Sequence, residues 1–354
     1  MRTLNKTFNL ELKRIAHNRI YSLTLFVFPT ISLLFFLRYF SKSGIRELPI
    51  VVIDQSKSVL SQKLVDMIDA TASVSVDYNI ADFNIATSLI RRGDAYALVV
   101  IPPNFEGDIL SARAANVVLY NSGANISTNG FIEKDIQTTV TSFGAGIELQ
   151  RGIPLPEIMP ITFEKHILFN PYLNYTYYIA PCFMAMMIMI FTMLSTVYAV
   201  AQTNIKEFKS LVGKIAPTTF TMWFFALIML YMLYSILGVP LEGNRWLLII
   251  STLLFVVVYQ AVAIFFVGIT HSRELALSLG GGYSVLAFTF SGLTFPTMAM
   301  FPILKVASHL FPFTYYMKIV IDQAIRGADS RESIINMCYM GIFLLLPLTI
   351  YRRL

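Results

Sequence analysis

Hydrophobic and polar positions divide this chain into two kinds of sequence. From Tyr172 to Tyr351 it is almost unbroken apolar sequence, cut into pieces by short polar clusters. The stretch 177–201, YYIAPCFMAMMIMIFTMLSTVYAVA, carries no charged side chain. It exceeds the ~20 residues a helix needs to cross the hydrocarbon core of a bilayer. It also lacks the polar face that a water-exposed helix requires. The pattern predicts a bundle with spans over 172–200, 216–237, 246–268, 275–294 and 334–351. Tyr172, Tyr175, Tyr177 and Tyr178 gather at the first of these, as an interfacial aromatic belt does.

Ahead of the bundle, residues 20–37 (IYSLTLFVFPTISLLFFL) predict a further span, kinked at Pro29. It is followed by Arg38-Tyr39-Phe40 rather than by a small-x-small cleavage site, so it reads as an uncleaved anchor. Residues 2–19 predict an amphipathic helix with Leu4, Phe8, Leu12 and Ile15 on one stripe and Lys6, Lys13 and Arg14 off it. Such a helix can lie along the headgroup layer of an anionic leaflet.

Residues 45–165 change character. LPIVVID (48–54), SVSVDY (73–78), AYALVVIPP (95–103) and NVVLYNSG (116–123) read as strands. Helical spacing appears over 58–70, from Asp82 as a cap to Arg92 with Gly93 as the stop, and over 125–151. Strands alternating with helices predict an α/β domain. The fold class is therefore an α-helical polytopic membrane protein of about six spans with an inserted extracytoplasmic α/β domain. Its predicted parts are 1–44 (interfacial helix and first span), 45–168 (α/β domain) and 169–354 (five-span bundle).

Composition sharpens this. Of 354 residues, 56% are hydrophobic and only 14% charged, where a soluble domain carries about 25%. The formal charge of +6 then marks orientation and headgroup contact rather than nucleic-acid binding. With the N-terminus inside, Lys206, Lys209, Lys214, Arg273 and the Arg352-Arg353 pair fall inside, while Lys305, Lys318, Arg326 and Arg331 fall outside. Cys182 and Cys338 both lie in predicted spans, so no disulfide framework and no zinc pattern is expected.

The spans hold almost no ionisable side chains, which argues against a proton- or sodium-coupled relay and against an intramembrane protease. His166, His271 and His309 sit at different span ends and read as interfacial residues. Gly213-Lys214 is followed by Ile215 with no glycine at the required distance before it, so no phosphate-cradling loop is present. Three pieces remain as candidate sites. The polar break at 201–214 centres on Lys206, Glu207, Phe208 and Lys209, which can dock in a partner's groove with Phe208 as anchor or simply form a solvated loop. Gly280, Gly281 and Gly282 permit close helix approach or mark local unwinding. The segment 295–316, broken by Pro296, Pro302 and Pro312, reads as a pair of short re-entrant helices or as a loop on the outer surface.

The layout resembles the permease subunits of type-2 ABC exporters, in the drug-efflux-like branch with a large extracytoplasmic domain. The stretches that carry the resemblance, in order, are PIVVIDQSKSVLSQKLVDMIDA (49–70), ALVVIPPNFEGDI (97–109), FNPYLNYTYYIAP (169–181), LVGKIAP (211–217), GVPLEGN (238–244), FSGLTFPTMAMFP (290–302) and HLFPFTYYMKIV (309–320). The resemblance covers nearly the whole chain. It implies a permease of a bacterial inner membrane, with both termini cytoplasmic, that is not itself an enzyme and exports a lipophilic or drug-like substrate. Its implied partners are the lipid bilayer, ABC ATPase subunits and a second permease copy or homologous permease, with a periplasmic adaptor as a further candidate. ATP and Mg would be bound on the ATPase and no cofactor on this chain. The resemblance also implies an interfacial helix at 2–19, ATPase coupling through 201–214 and an outer re-entrant gate at 295–316. The family's longer cytoplasmic element, with its Arg-Glu-x-Glu-x-Gly-Thr type motif, is not matched: the chain has Lys206-Glu207-Phe208-Lys209-Ser210 and then Leu211-Val212-Gly213-Lys214. That departure motivates an alternative, a non-transporting membrane scaffold whose outer domain binds a periplasmic or surface partner.

Overall fold

A single asparagine separates the first two helices of the computed structural model. Asn18 leaves the helical conformation (φ −96°, ψ 104°) and its side chain accepts a hydrogen bond from the Tyr21 N–H. This caps α2 and ends α1, because an asparagine side chain competes with the backbone for such donors. α1 spans Arg2–His17 and α2 spans Arg19–Phe40. Residues 2–41, 47–111, 113–121, 126–150, 175–201, 207–292 and 300–350 are described. Pro29 cannot donate to the preceding turn. The stretch just before it, Leu23–Val27, is π-helical. A widened turn of this kind is one way a helix absorbs a missing donor.

The chain divides into two compact units, Met1–Ser43 with Ile167–Leu354, and Gly44–His166. The second is an α/β unit: β1 (Leu48–Asp54), α3 (Val59–Asp69), β2 (Val74–Asn79), α4 (Phe83–Arg92), β3 (Ala97–Ile101), α5 (Phe105–Leu110), β4 (Val118–Asn121) and α6 (Ile126–Gln150). Its four-stranded sheet has the order β2-β1-β3-β4. β1 pairs parallel with β2 and β3, and β4 closes one edge antiparallel to β3. β1 is central, and its alternate residues go to opposite faces. Ile50 and Val52 pack with Leu64, Ile68, Phe105 and Ile136 of α3, α5 and α6, while Val51 and Ile53 pack with Ala86 of α4. Covered on both faces, the strand reads as a near-continuous apolar run. Asp82 caps α4 and Gly93 ends it in the left-handed region (φ 84°), as the sequence predicts. The short helix α5 was not foreseen from spacing; it buries only Phe105.

The first unit continues with α7 (Tyr175–Val200), α8 (Phe208–Ile236), α9 (Arg245–Thr270), α10 (Arg273–Phe290), α11 (Pro302–Ser308), α12 (Pro312–Ile321) and α13 (Ser330–Thr349). α9 is the hub, packed by α7, α8, α10, α12 and α13. Among the described residues, five helices are long and apolar enough to cross a membrane by length and composition: α2, α7 from Thr176, α8, α9 and α13. α10, read from sequence as a span over 275–294, is not among them. It has 18 residues and begins on Arg273 and Glu274. Residues 293–294 lie outside the described ones.

Candidate functional site: the junction of α1, α7 and α8

α8 begins at Phe208, so the second half of the polar stretch 201–214 is helix rather than part of a break between spans. Polar residues at the end of a span sit at headgroup level and do not mark the end of its helix. Residues 202–206, Lys206 among them, lie outside the described residues. Glu207 is extended (φ −130°, ψ 138°) in the capping position and makes no side-chain cap. Phe208 is 59% exposed, and Glu207 and Lys209 are exposed as well.

Five residues into α8, Gly213 allows α1 to cross in contact. A Cβ at Gly213 would lie 2.9 Å from the Leu4 carbonyl oxygen and would strike the Thr7 side chain. The face of α1 turned to α8 carries Leu4, Thr7, Phe8 and Arg14, all half-buried, with Glu11 and Ile15 buried. This corrects the predicted stripe. Leu12 is 45% exposed and its place is taken by Glu11, at 2%. Arg14, placed off the stripe, is on its edge. Leu10 and Leu12 remain on the outer face, where a headgroup layer can take them.

Glu11 is held in a small cationic setting. Arg14 Nη1 stands 3.7 Å from Glu11 Oε2 and donates to the Ala199 carbonyl at 3.1 Å. That carbonyl lies in the last turn of α7, where backbone acceptors lack helical partners and the helix dipole is negative. Burial pushes the Glu11 carboxyl above the usual carboxylate range, against the pull of the Arg14 and Lys214 charges. The Tyr21 hydroxyl is near enough to interact with this carboxylate, yet both Tyr21 Oη and Glu11 Oε1 fall outside hydrogen-bonding geometry. Tyr21 stacks on Tyr198 (centroids 6.0 Å apart), and Arg273 lies over the Tyr198 ring at 5.6 Å. One end of the bundle thus gathers α1, α2, α7, α8 and α10 through a few polar and aromatic contacts.

A family model described as "ABC-2 family transporter protein" matches residues 20–351. The chain belongs to the ABC-2 transporter family. No curated protein and no solved structure matches it. It is a multi-pass membrane protein and a permease subunit of an ABC transporter. Permeases of this family do not themselves hydrolyse ATP and work with an ABC ATPase subunit. The family match begins after α1, so the junction joins a helix outside the matched region to helices inside it.

Elsewhere in the permease, Pro302 and Pro312 each open a helix, α11 and α12, where a missing N–H costs nothing. Pro296 lies outside the described residues. The two helices differ: Phe301, Ile303 and Val306 around α11 are exposed, whereas α12 is buried almost throughout. Phe313 N–H donates to the Tyr259 hydroxyl at 3.0 Å, and Thr252 Oγ1 meets Tyr316 Oη at 3.0 Å. Beyond α12, buried Gln323 accepts from Asn244 N–H at 2.8 Å, and its own carbonyl accepts from Gly243 N–H at 2.8 Å. α12 and the turn after it therefore run antiparallel to α9, from Tyr259 back to Asn244. At ~1.5 Å per residue this is about 22 Å along α9.

Among the described residues, only Gly280 of the glycine triplet in α10 meets a neighbour: its Cβ would lie 3.4 Å from Met193 Cε of α7. It stands in a small-residue stripe with Ala276, Ser284 and Ala287. Gly281 and Gly282 have nothing within 4 Å among the described residues. Sequence reading passed over Glu11, Gln260 and Gln323. Gln260, a lone amide in an apolar span, was the detectable one: it accepts from Thr219 Oγ1 at 2.8 Å and donates to Thr218 Oγ1 at 3.0 Å, tying α9 to α8. Among the described residues no cluster of three or more His, Cys, Asp or Glu is arranged to hold a metal.

Proposed function

We propose that the permease exports a lipophilic or drug-like cargo from a bacterial inner membrane, as a homodimer or heterodimer of permeases served by separate ATPase subunits. The termini are cytoplasmic and the α/β unit lies on the far side. The observation that carries the reading is the junction itself. Phe208 and Lys209 stand exposed at the start of α8, one turn from the point where Gly213 and the Glu11–Arg14 pair fasten α1 to α8 and α7. A push on this corner reaches the spans at once. ATP would act by binding one of two assembly states better than the other, which is the only way a ligand shifts such an equilibrium. The proline-led helices α11 and α12 would form the outer gate, and ATP and Mg would be held on the partner.

The test is co-purification with a cognate ATPase in lipid. Phe208→Ala with Lys209→Ala leaves the fold intact, because both side chains are exposed. It is expected to lower ATP hydrolysis by the complex about fivefold or more, the lower end of typical coupling energies. Unchanged assembly and hydrolysis would refute the coupling role.

A further inference from the structure

An open sheet has two edges, and each presents a row of backbone N–H and C=O groups to which another chain can pair. In the α/β unit the edge strands are β2 and β4. The sequence treats them differently.

β2 is guarded. The Asp69 carboxylate accepts from its Val76 N–H at 2.7 Å, so an incoming strand finds that donor taken. Asp77 is exposed within the strand and accepts from Ser75 Oγ at 2.6 Å. Pairing with β1 shifts register between Ile50 and Val51, which bends the edge. Charges and bulges of this kind keep an edge from recruiting another strand.

β4 has none of these devices. Between Arg113 and Glu133 there is no charged side chain and no proline. Its register with β3 runs unbroken from Val100↔Val118 to Ala97↔Asn121. Among the described residues, no hydrogen bond reaches Val118–Asn121 beyond the β3 ladder. Val118 and Tyr120 lie opposite Val100 and Leu98, on the α4 face of the sheet, and are 42% and 46% exposed. Phe83 of α4 meets the Tyr120 ring edge-on, with centroids 5.3 Å apart.

Free backbone groups along an apolar edge call for an extended strand, which alone matches their spacing. The strand that a second copy offers is β4 itself. Antiparallel pairing of a strand with its own copy obeys a two-fold axis, the commonest symmetry of protein assemblies. Centred on Leu119, that axis sets Val118 against the partner's Tyr120, a favourable β-branched and aromatic pair. With no charge on β4, nothing repels. β2 paired with itself would instead bring the Asp77 of each copy into one ladder. Two copies inserted alike hold their α/β units on one side of the membrane and confined to its plane. A ladder of four residues, too short to join free proteins, then acts at high effective concentration.

We propose that β4 pairs antiparallel with the β4 of a second copy of this chain, about an axis at Leu119, and joins two α/β units into one continuous sheet. The proposal goes beyond the transport reading: it needs two copies in one membrane, and neither the ATPase nor export.

The test uses two differently tagged full-length copies expressed together, both carrying Cys338→Ala; the other native thiol, Cys182, is buried. In membranes under mild oxidation, Leu119→Cys should link the two copies, because directly opposed Cα atoms of an antiparallel pair stand about 4.5–5.5 Å apart. Val118→Cys in one copy with Tyr120→Cys in the other should link as well, from two exposed positions, should Leu119→Cys fail to fold. Asp77→Cys on β2 should not link. Val118→Lys with Tyr120→Lys in both copies should cut the Leu119→Cys link about fivefold, as should Val118→Glu with Tyr120→Glu, and mixing a lysine copy with a glutamate copy should restore it. An equal link through Asp77→Cys, an undiminished link between two lysine copies, or a Leu119→Cys adduct only with another protein would overturn the proposal. Tagged copies that co-purify in lipid without any link at β4 would overturn it too, leaving the paired permease intact. Copies that do not co-purify would overturn the homodimer as well.

Discussion

Two glycine sites in the helical unit look alike in sequence terms and differ in kind. At Gly213 two helices touch so closely that a side-chain carbon would sit 2.9 Å from the Leu4 carbonyl oxygen. At Gly280 the neighbour is the flexible end of Met193 at 3.4 Å, an ordinary contact, and Gly281 and Gly282 meet nothing within 4 Å among the described residues. The conspicuous triplet is the tolerant site and the inconspicuous single glycine is the strict one. Whether a missing side chain matters is decided by what lies opposite, and helix partners are set by tertiary packing rather than by local composition.

The largest expected effect follows from Gly213. Gly213→Leu must push α1 off α8, since backbone at Leu4 cannot move aside as a side-chain tip can. Overpacking of this kind costs about 1–3 kcal/mol, occasionally more. Proteolysis should release α1 from the variant while the remaining helices stay protected. Adding Thr7→Ala should restore only part of the docking, because Leu4 remains in the way. Full rescue by Thr7→Ala would mean that the crossing is looser than described.

That outcome bears on what sequence reading can reach. The strands of the α/β unit were legible because a buried parallel strand such as LPIVVID is apolar throughout and bounded by polar turns. The spans were legible because lipid permits few polar residues. The junction was not. Gly213 drew no notice as a helix contact, since its partners Leu4 and Thr7 lie far away in sequence. Glu11 was passed over because a charge within an apolar stripe looks like the end of the stripe. Here Arg14 and Lys214, from two helices, offset part of the cost of burying it. The same reasoning explains why Phe208–Lys214 read as part of a break, although lysines near headgroup level coexist there with helix.

A smaller effect tests the charges that accompany the close crossing. Arg14→Ala removes the hydrogen bond to Ala199 and leaves Glu11 with Lys214 alone. A charged hydrogen bond contributes about 1.5–3 kcal/mol, reduced here because the Arg14 side chain is 33% exposed and partly screened. The pH dependence follows from Glu11. Its carboxyl is held above the ordinary range when docked, so the docked state binds the proton more tightly than a free α1 does. Docking should be strongest at and below the ordinary carboxylate range and should weaken as pH rises through the raised value. Spin labels at Leu10→Cys and Lys209→Cys, both exposed positions, would report the docked population by their separation. Glu11→Gln should flatten the pH response, and a response that persists in Glu11→Gln would assign it to another group.

The smallest expected effect lies at the open end of the comparison. Gly281→Ala and Gly282→Ala add a methyl group where no described residue stands within 4 Å, in a helix that gains about 1 kcal/mol of propensity from each change. In the isolated permease their melting temperatures should match or exceed that of the unchanged protein, whereas Gly280→Ala should shift it slightly in either direction as Met193 adjusts. Destabilisation by Gly281→Ala that appears only at concentrations where the permease self-associates would place a second copy against this face. Destabilisation independent of concentration would mean that a neighbour within the chain fills the space, and the contrast with Gly213 would then be one of degree. No change at either concentration leaves Gly213 as the stricter of the two sites and makes α10 the helix on which side chains can be enlarged without moving its neighbours.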